Sequence, residues 1–253
     1  MTTIGIIYKK EDPIIAGTAA AVTRELKKSG YKVDLNKAEF VITLGGDGTI
    51  LRASRLLARR GVPILGVHLG GIGFLSETEL GGLTTALRQI KAGKSQIDRR
   101  MMLEAEVGGK TITALNDLVI TKSGIARVIK YELTGIARYT ADGLIFASPT
   151  GSTAYNLAAG GPLLEPNAGS IIISAICPHS LSNRSLVVDG PVTFVLKRGD
   201  GVILTGDGQQ MVPLKIGQPV TVRKSKLQAA FIRTKKYQFF ERVGKTFGFG
   251  AGN

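Results

Sequence analysis

Through the first hundred residues the chain alternates short apolar runs with segments whose apolar positions recur every three or four residues. Residues 4–8 read as a buried strand. Asp12-Pro13 then supplies an N-cap and a proline at the first helical position, and Ile14, Ile15, Ala19, Val22 and Leu26 give one apolar face until Gly30 ends the helix. Residues 31–35 and 40–44 read as two further strands. A second helix is predicted from about 49 to 60, with Ile50, Leu51, Ser54, Leu57 and Ala58 facing inward and Gly61 as its stop. The strand at 63–67 empties into Gly70-Gly71-Ile72-Gly73-Phe74-Leu75, and a helix around 82–92 completes an open α/β unit of βαβ type.

Near Asp98-Arg99-Arg100 the pattern changes. Beyond that point the chain is mostly strand-like, with turn signals at Gly108-Gly109, Asp142-Gly143, Asp189-Gly190, Gly199-Asp200-Gly201 and Gly206-Asp207-Gly208. Residues 169–175 read as a fully buried strand, and 191–197, 201–205 and 219–224 as a meander. Residues 237–243 read as a short helix returning to the first domain. The expected fold is therefore an α/β N-terminal domain with a Rossmann-like open sheet, over 1–97 plus 234–253, and a β-rich C-terminal domain over 98–233.

Composition narrows the class. The 253 residues are 43% hydrophobic and 21% charged, as in soluble globular proteins, and no apolar run approaches the roughly 18 to 20 residues that span a bilayer. The first residues enter a strand without a basic leader, so a cytoplasmic location with no membrane association is expected. One cysteine, Cys177, excludes an internal disulfide, and with only His68 and His179 beside it the usual nitrogen and sulfur zinc sites are out of reach. An oxygen-ligated ion such as magnesium stays open. The net charge of +14, from 33 Lys and Arg against 19 Asp and Glu, favours anionic ligands. Basic residues concentrate late, including Arg223, Arg233 and Arg242, but without aromatic interleaving or a nucleic-acid motif. They read as a solvated basic surface, with no specific nucleic-acid partner.

The most pointed chemistry lies in Gly45-Gly46-Asp47-Gly48-Thr49, directly after the apolar run at 40–44. A buried strand that stops in glycines and opens a helix is where open α/β sheets bind phosphate. This is neither a P-loop nor a dinucleotide fingerprint, because no Lys-Ser or Lys-Thr follows Gly48 and the glycine spacing differs. A carboxylate in such a loop repels phosphate unless it binds metal or accepts a proton, and both roles suit phosphoryl transfer to an alcohol. Arg52, placed in the first turn of that helix, opposes the macrodipole unless an anion sits near it. Downstream, Ser148-Pro149-Thr150-Gly151-Ser152-Thr153-Ala154-Tyr155 gathers four hydroxyls at the start of a helix expected over 153–159, and an N-cap accounts for one of them. Asn116-Asp117 reads either as an Asx turn or as a ligand pair, and Asp142-Gly143 as a hairpin turn. No Gly-x-Ser-x-Gly elbow is present, so a serine hydrolase is excluded.

Taken in order, GGDGT, the glycines at 70–73, Asn116-Asp117, Asp142-Gly143, SPTGSTAY at 148–155, Ala159-Gly160-Gly161-Pro162 and Cys177-Pro178-His179-Ser180-Leu181-Ser182-Asn183-Arg184 resemble the NAD kinase family over nearly the whole chain. GGDGT alone is shared with lipid kinases and phosphofructokinases, whereas the Asn-Asp pair and the two later segments look particular to NAD kinases. The resemblance implies an active site between the two domains. It implies transfer of the ATP γ-phosphate, with magnesium or another divalent metal, to the 2′-hydroxyl of the adenosine ribose of NAD, giving NADP. Polyphosphate is an alternative donor in part of the family. Carried over by motif, Asp47 looks like the proton acceptor, and Gly48 and Phe74 line the site. Asn116 and Asp117 look like partners of NAD's ribose and adenine; Thr150, Thr153, Ala154, Tyr155, Asn156, Leu157 and Ala158 form a further wall. Asp142 in this family often comes from a neighbouring subunit, which implies a homodimer or homotetramer. Arg52, Arg127 and Gln209 carry over by position. The chain departs from relatives at Thr140, where a basic residue is common, and at Ala158, where a serine is.

Overall fold

A computed structural model describes residues 1–71, 73–124 and 128–248. The chain divides into two compact units, Met1–Arg99 with Ala229–Asn253, and Arg100–Gln228. In chain order the first unit contains β1 (Thr3–Tyr8), α1 (Pro13–Lys28), β2 (Lys32–Val33), β3 (Phe40–Leu44), α2 (Asp47–Leu57), β4 (Ile64–His68), β5 (Thr78–Glu79) and α3 (Leu83–Lys91). β6 (Gln96–Val107) leads into the second unit, which holds β7 (Lys110–Ala114), β8 (Asp117–Lys122), β9 (Ile129–Leu133), β10 (Ala137–Ala141), β11 (Gly143–Ala147), α4 (Tyr155–Ala158), β12 (Ile171–Ile176), β13 (Leu186–Val188), β14 (Val192–Arg198), β15 (Val202–Gly206) and β16 (Gln210–Pro213). β17 (Pro219–Arg233) leads back to the first unit, which closes with α5 (Phe239–Phe247).

The first unit is a parallel open sheet. β1 lies between β2 and β3, β3 pairs with β4, and the far edge of β4 is taken by Phe231 of β17 and by β5. Asp12 caps α1 as its composition predicts, accepting hydrogen bonds from the Ile14 and Ile15 amides at 3.0 and 3.1 Å, an arrangement worth about 1 kcal/mol. Ala19, Val22 and Leu26 of α1 and Leu83, Ala86 and Leu87 of α3 share one core with Ile4, Ile42 and Leu65 of the sheet. Because helices cover both faces, all five residues of β3 are buried, which is why its sequence is continuously apolar. The chain leaves β1 for β2 on one side and returns to β3 on the other. The carboxyl ends of β1 and β3 therefore form the topological switch point, where such sheets bind ligands.

In the second unit β8 pairs with β11 and β15, β11 with β12, β12 with β13 and β15 with β16, all antiparallel. A second layer pairs β10 with β9, β9 with β14, and β14 with residues 219–222 of β17; β6 and β7 form a hairpin. Phe146, Phe194, Tyr131, Leu144 and Leu204 are among the side chains buried between the layers, each large apolar one contributing about 1.5 to 3 kcal/mol. Gly108-Gly109 is a hairpin turn as expected, both residues having positive φ. Two expectations are corrected. β14 and β15 belong to different layers, so residues 191–224 are not a meander. Asp142-Gly143 is no hairpin either: β10 pairs with β9 while β11 pairs with β8 and β12, so the pair marks a corner where the chain changes layers. Gly143 is required there because a Cβ would lie 2.5 Å from the Ile120 carbonyl oxygen.

Candidate active site

The glycine loop after β3 lies at the switch point of the first unit. Gly45 adopts φ +143 and Gly46 is the N-cap of α2, so the helix begins at Asp47 and not near residue 49. The shift changes two expectations. Asp47 sits in the first turn, where a negative charge is favoured by about 0.3 to 1 kcal/mol. Arg52 moves beyond the first turn to an exposed position, and its expected conflict with the helix dipole disappears. A cleft of about 590 Å³ opens at the carboxyl ends of these strands, lined by Gly45, Gly46, Gly70 and Gly71 and by the start of α1. The N-terminus of α2, which carries no side-chain cap, and the four glycines suit a phosphate-bearing ligand, whereas the α1 amides are already capped by Asp12.

The Asp47 carboxylate turns toward residues 73–75. Oδ2 accepts the Phe74 amide at 2.9 Å and Oδ1 accepts the Leu75 amide at 3.3 Å, which leaves lone pairs on both oxygens. A Cβ on residue 73 would overlap Oδ1, so this glycine is dictated by the carboxylate. Burial pushes the Asp47 pKa up; the Leu75 and Phe74 amides and the positive charges of Arg242 and Arg233 hold back part of that rise. The result is a carboxylate more basic than a solvated one, with acceptor capacity to spare.

The loop that supplies those amides is itself fastened. Arg242 Nη1 donates to the carbonyls of Gly73, Phe74 and Ser76 at 2.8, 3.3 and 3.0 Å, and the Tyr237 hydroxyl donates to Phe74 O at 3.1 Å. Arg233 donates to Leu75 O at 3.1 Å and pairs with Glu77 and Asp98 at 3.3 and 3.0 Å. Glu77 Oε1 in turn accepts from the Thr234 amide and hydroxyl. Arg233 is only 4% exposed, so the solvated basic surface expected of the late cationic residues is wrong for it. Arg242 is half-buried as well, and Arg223 is paired with Glu104 and Glu106. The Phe74 ring stacks on Phe247 with centroids 5.5 Å apart.

In the second unit Asn116 and Asp117 stand at the start of β8. Their backbone is fixed by Asp207, a residue that sequence reasoning marks only as part of a turn. Its carboxylate accepts the amides of Leu115, Asn116 and Asp117 at 2.9, 2.8 and 3.3 Å, and its own amide donates to Asp117 O at 3.0 Å. Asp207 holds φ +50, the left-handed conformation that Asp tolerates better than most residues, in the hairpin between β15 and β16. Burial and the nearby Asp207 charge push Asp117 up to about 7. Asn116 Oδ1 is buried with no hydrogen-bond partner among the described residues, an arrangement that calls for a ligand donor.

The hydroxyls of 148–155 divide. Ser148 Oγ donates to Leu115 O at 2.5 Å and accepts from the Gly151 amide, while Ser152 Oγ donates to Leu164 O and accepts from its amide. These two are structural, which corrects the view that the capping role leaves three hydroxyls idle. Thr153 Oγ1 donates weakly to Thr150 O at 3.4 Å, and Thr150 Oγ1 is buried without a partner among the described residues. The segment forms a 3₁₀ turn at Thr150–Thr153 and then α4, in place of one helix over 153–159. A Cβ on Gly151 would overlap the backbone of Asn116, so the two motifs meet through a glycine. Asn156 is fully buried: Nδ2 donates to Ser152 O and Pro162 O, and Oδ1 accepts from Ser174 Oγ. That side chain holds the segment together. Ala154 and Leu157 are partly buried, and Tyr155 and Ala158 are exposed beside it. Asp142 is half-buried at its corner, with its amide on Ile176 O. Gln209 is exposed in the Asp207 hairpin, and Arg127 lies outside the described residues.

Comparisons with known proteins agree with this arrangement along the chain. Residues 10–95 match the ATP-NAD kinase N-terminal domain and residues 115–234 the ATP-NAD kinase C-terminal domain. The NAD kinase of Moorella thermoacetica is 39% identical, with 96% of this chain and 88% of that one covered; that of Syntrophotalea carbinolica is 36% identical, with 99% of both covered. An NAD kinase from Archaeoglobus fulgidus, solved in complex with ATP, superposes with a TM-score of 0.83 at 26% identity over 98% of this chain and 100% of that one. Yeast NADH kinase, solved with NADH, shares the fold with a TM-score of 0.89 at 20% identity over 100% of this chain and 89% of that one. With both domains matched and close relatives covered along most of their length, the chain belongs to the NAD kinase family.

Proposed function

We propose that this protein is an NAD kinase that transfers the γ-phosphoryl group of ATP to the 2′-hydroxyl of the adenosine ribose of NAD, with Asp47 as the general base. The observation that carries the reading is the Asp47 carboxylate: seated at a glycine loop, held by two amides, raised in pKa by burial and still able to accept a proton. As the 2′-oxygen bonds to the γ-phosphorus and the bond to the β-phosphate oxygen breaks, Asp47 takes the hydroxyl proton and ADP leaves with the electron pair. A placed base of this kind contributes about 10²-fold to 10⁴-fold, or about 3 to 5 kcal/mol of barrier.

The glycines at 45–46 and 70–71 suit the donor phosphates. Polyphosphate is the alternative donor. Asn116 and Thr150 suit NAD, because each holds a buried oxygen without a hydrogen-bond partner among the described residues, and Asp117 stands beside Asn116 at the start of β8. Among the described residues no group of three or more His, Cys, Asp or Glu side chains is placed to hold a metal ion. Magnesium would be held mainly through the phosphate oxygens of ATP beside the glycine loop. When bound, the ion neutralises charge on the transferring phosphoryl group. Among the described residues no helix is long and apolar enough to cross a membrane, and the reading goes with a cytoplasmic homodimer or homotetramer.

The test is direct. Purified protein is incubated with magnesium and each pairing of ATP or polyphosphate with NAD or NADH, and NADP or NADPH formation is assayed. NADP from ATP and NAD is expected; no product from any pairing overturns the reading.

A further inference from the structure

The reaction needs Asp47 held still and kept ionised, and the groups that do this lie far from it in sequence. Among the described residues, the hydrogen bonds to the Asp47 carboxylate come from backbone amides, those of Phe74 and Leu75. Amides aim where their peptide planes are pinned, and a peptide plane is pinned by its carbonyls. Every carbonyl from residue 73 to residue 76 is taken by a side chain of the returning C-terminal segment: Gly73, Phe74 and Ser76 by Arg242, Phe74 also by Tyr237, and Leu75 by Arg233. Arg242 and Arg233 both lie against the Tyr237 ring, at 5.1 and 4.8 Å from its centroid, so the three side chains form one block.

We infer that Arg242 is a positioning residue for the reaction, which fixes the peptide planes of residues 73–76 so that two amides stay aimed at the Asp47 carboxylate. The inference rests on Asp47 being the base. The charged and titratable groups around this block include Asp47, Glu77, Arg233, Arg242 and Tyr237, with Asp98 paired to Arg233, Glu241 within reach of the Arg242 charge, and His68, Lys235, Lys236 and Lys245 lining one cavity with Glu77 and Arg242. Within that set Arg242 acts on Asp47 in one direction only. Its positive charge favours the carboxylate, and the amides it aims favour the carboxylate as well. Loss of Arg242 therefore makes Asp47 harder to ionise. Loss of aim also slows the step, since a shift of about 1 Å in a reacting group costs up to about 10²-fold.

The experiment is the pH profile of kcat for NADP formation, at saturating ATP and NAD, in Arg242→Gln, Arg242→Lys and Tyr237→Phe. Arg242→Gln is expected to lose about tenfold in kcat and to move the acid limb to higher pH, with the KM for NAD nearly unchanged. Arg242→Lys restores charge without the planar fork and is expected to recover part of the shift. Tyr237→Phe removes one hydroxyl without a change of volume and is expected to move the limb the same way by less, so it carries the test if Arg242→Gln does not fold. Lys245→Met, on the same helix but bonded to Glu241 and not to the loop, is expected to match wild type. Asp47→Asn is assayed alongside. If Asp47→Asn turns over normally, the base assignment fails and the inference falls with it. If Asp47→Asn is inactive while Arg242→Gln and Tyr237→Phe keep the wild-type acid limb, the base assignment stands and the positioning role is overturned.

Discussion

Gly73 and Asp47 occupy one space: the place where a side chain at 73 would begin is filled by the Asp47 carboxylate. The glycine is thus a condition set by the candidate base. Gly73→Ala is expected to keep the fold, because the clash falls on a side chain that can rotate away. The rotation takes Asp47 off its two amides, so kcat is expected to fall by about 10²-fold and Tm to drop, each amide left without its acceptor costing about 1 to 3 kcal/mol. Steady-state kinetics beside a thermal melt checks both halves.

Asp207 does for Asn116 and Asp117 what the loop at 73–76 does for Asp47. Asp207→Ala leaves three amides without their acceptor, each buried amide costing about 1 to 3 kcal/mol when unpaired. A lower Tm is expected, and with it weaker NAD binding by calorimetry, while ATP binding in the first unit is expected to stay within about twofold of wild type.

The raised pKa of Asp117 makes a statement about stability. Its native value of about 7 stands above the ordinary aspartate value of 3.8, so between those limits the native state holds a proton that the unfolded chain has lost. Stability from this group is fully present below the unfolded pKa and is lost as pH rises from about 4 to about 7, by up to about 4 kcal/mol. Urea midpoints of wild type and Asp117→Asn across pH 4 to 8 check the sign: wild type is expected to decline relative to the variant over that window and to run parallel above it.

Much of the first unit is written in local signals. Asp12-Pro13 and Gly30 bracket α1, and the unbroken apolar run at 40–44 announces a strand covered on both faces. The ordered motifs point to the right family because each is a short segment with its own backbone demand. The features that stay hidden depend on partners distant in sequence. Arg233 and Arg242 look like their solvated basic neighbours, and nothing local shows that carbonyls at 73–76 await them. Asp207 lies in a Gly-Asp-Gly turn that any hairpin would use, while the amides it serves are 90 to 92 positions earlier. Asp142-Gly143 has hairpin chemistry, yet its two strands find partners in different layers. The motifs include Gly73, Gly151 and Gly161 but not their reason: each stands where a Cβ would strike a residue of the candidate site, Asp47, Asn116 and Asn156.

The central claim is that Asp47 takes the proton from the 2′-hydroxyl. Asp47→Asn preserves size and one acceptor oxygen but cannot act as a base, so the decisive measurement is its kcat for NADP formation alongside its Kd for NAD. At least an approximately 10²-fold loss of kcat is expected, with Kd within about threefold of wild type and a urea midpoint lowered by no more than the cost of one unpaired amide, about 1 to 3 kcal/mol. An Asp47→Asn protein that forms NADP at the wild-type rate contradicts the claim.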